Sequence, residues 1–299
     1  MGLKNDEFTL TDSFIDFEFD SSGPIHNLQI FFIAMFILAT LPIFLLLLKV
    51  LFFWSKRVAK CVSYVHSKLY FNIYIRFFLE AYLELSLSSM IRFKNYRWEN
   101  GNEMFHSIFA TIIYLGLLVF LCFSLGFLQS NFTTLNSENS RRRYGDLYLG
   151  LQTRERTAIV FPFVFMMRRL IYAGILVYWS ERNYFQIQTI IFKCSLIMIF
   201  TGYMRPFDTR LANNIELIND AFIVVCSYFL IIFSPLVGDA QTRYISGWPL
   251  IGLILFLIGL NLSIMTYQSV SELIRYIRLR CIRYKNRKKM KERIKLLKA

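Results

Sequence analysis

Long apolar stretches follow one another along this chain, and most are near the ~20 residues that a helix needs to cross the hydrocarbon of a bilayer. The stretches are continuous and lack the alternation of apolar and polar residues that strands show, so they predict helices. We expect seven spans, at 27–54, 67–91, 104–128, 158–180, 185–204, 217–235 and 247–268. The predicted fold is an all-α, polytopic membrane helix bundle.

The composition agrees with lipid as the solvent for much of the chain. Of its 299 residues, 56% are hydrophobic and 17% are aromatic. One soluble core of this size cannot bury that much apolar surface. We therefore expect an integral membrane protein, with the plasma membrane favoured and an organellar, mitochondrial membrane as the alternative.

Basic residues are concentrated in a few segments of the chain, whose formal net charge is +14. Residues 271–299 contain twelve Lys or Arg and two Glu, whereas the first 26 residues contain six acidic side chains and one Lys. Cytosolic loops of membrane proteins carry an excess of Lys and Arg. Seven spans with an external N-terminus bring the tail and the basic segments 56–68 and 141–156 to the cytosolic side, and we expect that orientation.

A six-span arrangement is the main alternative. In it, segment 67–91 lies in the membrane interface and the N-terminus is cytosolic, which places the basic segment 56–68 outside. In the favoured arrangement the chain divides into an acidic leader at 1–26, a seven-helix bundle at 27–268 and a basic cytosolic tail at 269–299.

The tail has the pattern of an amphipathic helix that lies on an anionic membrane surface. Leu273, Ile274, Ile277 and Cys281 form an apolar stripe among many basic residues. A basic segment that begins where a membrane helix ends is expected to bind anionic headgroups, and nucleic acid is not an expected partner. Phosphoinositides and calmodulin are alternative ligands. The predicted lipid-binding residues are Arg275, Arg278, Arg280, Arg283, Lys285, Arg287, Lys288 and Lys289.

Three ionisable residues interrupt the second span. Arg76, Glu80 and Glu84 are spaced at i, i+4 and i+8, so they lie on one face of the predicted helix. Charged residues at membrane depth normally face a partner or a water-filled cavity. The sequence leaves two interpretations open, an ion pair that orients the helix and a path for a cation or proton.

Two adjacent arginines, Arg168 and Arg169, interrupt the fourth span. Consecutive helical residues point about 100° apart, so at least one of the two is expected to face protein. We predict that one of them pairs with Glu80 or Glu84. If Pro162 marks a break, both could instead extend towards the cytosolic interface.

The start of the sixth span carries oxygen ligands on one face, at Asn213, Glu216, Asn219 and Asp220. Carboxylate and amide oxygens at this spacing are a candidate site for a hard cation such as Ca²⁺. The same residues could instead be an acidic cap that the helix dipole favours.

Signatures of other chemistries are missing from the sequence. It contains no HExxH, GxSxG or P-loop motif, so we predict that the chain is not an enzyme. Its three histidines lie far apart, and we expect no metal and no cofactor. Lys193 is the only lysine well inside a predicted span, and the last span has none to carry retinal.

Several blocks of sequence resemble a known family. They are FNIYIRFFLEAYLELSLSSMI at 71–91, RRYGDLYLGL at 142–151, FMMRRLIYAGIL at 165–176 and GYMRPFDTRLANNIELIND at 202–220. Together they resemble the multi-pass C-terminal membrane module of large ciliate surface proteins, with a fainter similarity to fungal TRP-like membrane proteins. The resemblance implies a polytopic helical fold and an ion-linked or receptor-like role.

These features lead to a channel-like membrane protein, ion-conducting or ion-regulated, as the predicted function. A homo-oligomer or a larger membrane complex is the expected assembly. The alternatives are a non-conducting seven-span receptor or scaffold, and an accessory subunit of a larger, organellar membrane complex.

Overall fold

The computed structural model describes residues 28–51, 72–96, 98, 100–180, 182–234 and 239–296, with the backbone alone from residue 283 onward. Helices dominate these residues, and the only pairing of extended backbone among them is an isolated bridge between Leu151 and Phe207. The helices are α1 Gln29–Leu51, α2 Asn72–Lys94, α3 Gly101–Ser130, α4 Glu138–Tyr144, α5 Phe161–Tyr178, α6 Asn183–Met204, α7 Arg210–Phe233 and α8 Ala240–Leu296.

Six of the described helices are long and apolar enough to cross a membrane, which indicates an integral membrane protein. They are α1, α3, α5 with the turn before it, α6, α7 and the first part of α8. The predicted class, a polytopic helical protein, is therefore confirmed, but the predicted number of seven is not. The helix that makes the difference is α2, whose 23 residues include Arg76, Glu80, Glu84 and Arg92.

Helix α2 packs against both α3 and α5 at the centre of a unit that extends to Asp220. Tyr82 of α2 is fully buried, and its hydroxyl donates to the carbonyl of Leu117 in α3. Three serines of α2 are also fully buried: Ser86, Ser88 and Ser89. Small side chains let membrane helices approach closely, so they explain how α2 fits between its two neighbours.

The segment between α3 and α5 folds against the ends of these helices. Leu135, Leu147 and Leu151 share a buried cluster with Leu128 of α3 and Phe161 of α5. It contains α4 and several 3₁₀ turns.

The same segment is bonded to the connection between α6 and α7. The amide of Gln152 donates to the carbonyl of Pro206, and the amide of Asp208 donates to the carbonyl of Gly150. Gly150 has a φ of +75°, and Arg205, the residue after α6, has a φ of +41°. A positive φ is uncommon for a residue with a Cβ, so the connection is held in a specific conformation.

The second unit begins at Ala221 and contains the rest of α7 and all of α8. Phe222 of α7 stacks against Phe256 of α8, with 5.9 Å between the ring centroids. Helix α8 has 57 residues, which at 1.5 Å per residue gives a length of about 85 Å. The boundary predicted at residue 268 therefore lies inside one continuous helix.

Candidate functional site

A cluster of charged side chains joins three consecutive membrane helices in the first unit. Arg168 of α5 lies between two carboxylates of α7, with its Nη1 3.4 Å from Glu216 Oε1 and 3.6 Å from Asp220 Oδ1. Glu216 and Asp220 are one helical turn apart, so they lie on the same face of α7. Only 5% of the Asp220 side chain is exposed, against 24% of Arg168.

Lys193 of α6 completes the cluster. Its Nζ lies 4.5 Å from the centroid of the Tyr172 ring, and its charge acts on Asp220. The four side chains therefore carry two positive and two negative formal charges. A balanced group of this kind can be buried at much lower cost than a single charge.

Three residues of the cluster, Arg168, Lys193 and Asp220, lie near the middle of their helices. Arg168 is ten residues from either end of the apolar helix Ala158–Tyr178, and Lys193 is ten residues after Asn183. Asp220 is ten residues after Arg210. Each is thus about 15 Å from a helix end, which is half the ~30 Å thickness of the hydrocarbon.

The ion pairs in this cluster are long. Charge-assisted hydrogen bonds normally measure ~2.7–2.9 Å, whereas Arg168 is 3.4 and 3.6 Å from its two carboxylates. Among the described residues, Oδ2 of Asp220 is buried and accepts no hydrogen bond. Thr201 is close enough to act on Asp220, but its hydroxyl donates to the carbonyl of Ile197. Asp220 therefore has a buried oxygen whose binding of a proton or cation would break no short hydrogen bond.

Arg169 contacts a different helix from Arg168. Its Nη1 donates to the carbonyls of Leu79 and Glu80 in α2, at 2.7 and 2.9 Å. Both arginines lie over the ring of Phe165. The predicted partner of an arginine was the carboxylate of Glu80 or Glu84. The hydrogen bonds that the structure shows for Arg169 are to backbone carbonyls, and Arg168 pairs with α7.

The predicted stripe on α2 lies on an exposed face of that helix. Nε of Arg76 is 3.1 Å from Oε1 of Glu80, and these two side chains are 67% and 66% exposed. Glu84 is exposed as well. The three residues share a face, as predicted, and that face differs from the one that packs against α3 and α5.

The four candidate cation ligands at the start of α7 have different environments. The amide group of Asn213 is bonded to backbone, since Oδ1 accepts from the amide of Phe207 and Nδ2 donates to the carbonyls of Phe207 and Thr209. Asn219 also has a partner within the protein. Glu216 and Asp220 face Arg168. The part of the chain that the structure describes contains no group of three or more His, Cys, Asp or Glu arranged to hold a metal ion.

Sequence reasoning missed Arg92, which is fully buried at the end of α2. Its Nη2 lies 2.6 Å from Oε2 of Glu103 in α3, and its guanidinium also donates to the hydroxyl of Ser107 and the carbonyl of Glu103. The predicted span ended one residue earlier and so left Arg92 in a loop. The signal in the sequence was an Arg and a Glu on either side of a short connection between two helices.

The basic tail belongs to the exposed end of α8. Arg275, Arg278 and Arg280 are exposed, as are the apolar residues Leu273 and Ile277. The remaining predicted lipid ligands lie where only the backbone is described: Arg283, Lys285, Arg287, Lys288 and Lys289.

Comparison with family models, curated proteins and solved structures finds no match. The resemblance to the ciliate membrane modules is not tested by these comparisons and remains a hypothesis.

Proposed function

We propose that this chain is a channel-like membrane protein in which Asp220 and Glu216 bind or pass cations, protons included, within the bilayer. The observation that carries the proposal is the buried Asp220 carboxylate, which is 3.6 Å from Arg168 through one oxygen and accepts no hydrogen bond from any described residue through the other. Ionisable residues at mid-membrane are costly, so an incompletely paired one points to an ion or proton path.

The position of Arg168 would allow it to move from one carboxylate to the other, so that a cation can bind the carboxylate it leaves. Its Nη1 lies at similar distances from Glu216 and Asp220. A small shift of the guanidinium towards one carboxylate would shorten that ion pair and free the other carboxylate for a cation. The net charge of the cluster would not change during the shift, and the arriving cation would compensate the carboxylate that Arg168 leaves.

We further propose that α2 crosses the membrane as a seventh span, with the N-terminus outside and the basic tail inside. Contacts at both ends of α2 support this. Near its start, Ile75 packs beside the cluster that contains Leu128. At its end, Arg92 pairs with Glu103 near the start of α3, and Lys94 donates to the hydroxyl of Ser180, just beyond α5. Helix α2 thus runs beside two apolar helices over most of their length.

A non-conducting scaffold or accessory subunit is the second candidate function. It is favoured by the bonds from Arg169 to the backbone of α2 and by the balanced charge of the cluster. In that case the charges would hold helices together and would carry nothing. The sequence resemblance, the plasma-membrane location and the absence of enzymatic activity also remain proposals.

Flux through reconstituted protein separates the two candidates. The full-length chain in liposomes is tested for uptake of H⁺, K⁺, Na⁺ and Ca²⁺. We expect Asp220→Asn to reduce the flux about tenfold or more, and Glu216→Gln to reduce it less, because Glu216 is more exposed. Glu155→Gln, an exposed carboxylate outside the spans, is the matched control. Folded, inserted protein that passes none of these ions would support the scaffold instead. Loss of flux in Glu84→Gln but not in Asp220→Asn would move the path to α2.

We also propose that the tail binds anionic headgroups. The exposed Arg275, Arg278 and Arg280 alternate there with exposed apolar side chains, which is the composition of a helix at a membrane surface. Hydrogen exchange of 271–296 is compared in nanodiscs with and without anionic lipid. We expect slower exchange with anionic lipid and a loss of that protection at high salt. Equal exchange in both lipids would contradict the proposal.

A further inference from the structure

We propose that the charged face of α2 is an interface between two copies of this chain in the membrane. The inference rests on the crossing of α2 proposed above. Arg76 and Glu80 are about two-thirds exposed, at 67% and 66%, although each lies within the length of a membrane helix. Lipid does not solvate such groups, so they are normally covered by protein or water. The part of the chain that the structure describes leaves this face exposed, and a second copy can cover it.

The charges on this face can pair with those on the same face of a second copy. Arg76 bonds Glu80 through Nε, and among the described residues its two terminal amino groups bond no carboxylate. A guanidinium can donate to two carboxylates at once. In a dimer with two-fold symmetry, each contact occurs twice, so Arg76 of each copy can meet Glu80 of the other. Arg76 and Glu80 are four residues apart, or about 6 Å along the helix, a separation that the long Arg side chain can span.

The surface beside the ion pair is recessed and mostly apolar. An open cleft of about 360 Å³ lies between α1 and α2, with Arg76 and Glu80 among its lining residues. Its other walls are apolar: Ala34, Ile37, Leu38, Ile73 and Phe77. Close packing together with polar contacts drives the association of membrane helices. In the dimer, apolar side chains of the second copy would pack in the cleft, and the ion pairs would fix how the two copies of α2 are aligned.

Glu84 gives the proposal a second, independent consequence. It lies one turn beyond Glu80 on the same face, and the ion pairs among the described residues do not include it. In a two-fold dimer it approaches the same residue of the second copy, and two carboxylates close together repel. We therefore expect Glu84→Gln to strengthen the dimer. If Glu84 instead paired with a basic residue of the second copy, the same substitution would weaken the dimer.

Energy transfer between differently labelled full-length chains in lipid vesicles tests the interface. We expect wild-type chains to associate, and Arg76→Glu or Glu80→Arg alone to weaken association about tenfold or more, because like charges then meet at the interface. Mixing the Arg76→Glu chain with the Glu80→Arg chain should restore association, since each presents the charges that the other needs. This rescue also shows that both variants fold.

Charge reversal at the exposed Arg182, away from this face, is the matched control and should leave association unchanged. Wild-type chains that stay monomeric, or association that neither reversal affects, would overturn the proposal. So would a failure of the mixed chains to associate when both are folded and inserted. The readout is separate from ion flux, so dimers without flux would overturn only the cation path, and flux without dimers would overturn only the interface.

Discussion

The Nη1 atom of Arg168 lies 3.4 Å from the carboxylate of Glu216, and this contact joins residues that are 48 positions apart in the sequence. The guanidinium is also 3.6 Å from Asp220, so one cation of α5 faces two anions of α7. Removal of Arg168 leaves these two carboxylates close together on α7, with Lys193 as the remaining cation of the cluster. Removal of one carboxylate leaves the other paired with Arg168.

Arg168→Gln should therefore destabilise the protein more than Glu216→Gln does. Loss of one partner from a buried ion pair costs about 3–5 kcal/mol, and partial exposure of Arg168 places the expected loss at the lower end. Glu216→Gln should lower the stability by about 1 kcal/mol, because the Gln side chain can still accept a hydrogen bond from Arg168. Thermal unfolding in detergent measures both. An Arg168→Gln variant as stable as the wild type would contradict the pairing.

Arg92→Ala should be among the most damaging substitutions in the chain. Arg92 is fully buried, and its loss would leave Glu103 and Ser107 without their shared donor. We expect a cost of about 3–5 kcal/mol. Adding Glu103→Gln should restore part of the stability, because the uncompensated charge is removed. An equal loss in the single and double variants would show that the pair contributes little.

The sequence predicted the helices well, because apolar length is a property of each segment alone. It placed the sixth span from residue 217, whereas α7 begins at Arg210, because the polar first turns of that helix do not look like a span. Pairings were harder to predict. The choice between Glu80 and Glu216 as a partner of Arg168 depends on how helices pack, and hydropathy carries no information on packing. Arg92 was missed for a related reason, since a charge at the edge of a span looks solvated until its partner is known.

Asn213 tests whether the start of α7 is a cation site or a structural cap. Its side chain makes three hydrogen bonds to the backbone of Phe207 and Thr209. Asn213→Asp keeps the Oδ1 acceptor and loses the Nδ2 donor. A structural role therefore predicts that the free energy of unfolding falls by about 1–3 kcal/mol, whether or not Ca²⁺ is present. A cation ligand would instead become stronger with the added charge. Unfolding temperatures with and without Ca²⁺ distinguish these outcomes, and a Ca²⁺-dependent gain in stability would favour the cation site.

Asp239 predicts a dependence on pH at the start of α8. The hydroxyl of Thr242 and the amides of Gln241 and Thr242 donate to its carboxylate. The Thr242 side chain, followed by these amides, lowers the pKa of Asp239 below its usual value. A carboxyl whose pKa is lowered by folding stabilises the folded state above its unfolded pKa, and this contribution is lost as the pH falls through the folded pKa.

Protection of the first turn of α8 from hydrogen exchange, corrected for intrinsic rates, should therefore be complete at neutral pH and fall in acid. Asp239→Asn should remove the dependence on pH while keeping most of the cap, and Asp239→Ala should lose protection at every pH. Protection in the wild type that does not change between neutral and acid pH would contradict this account.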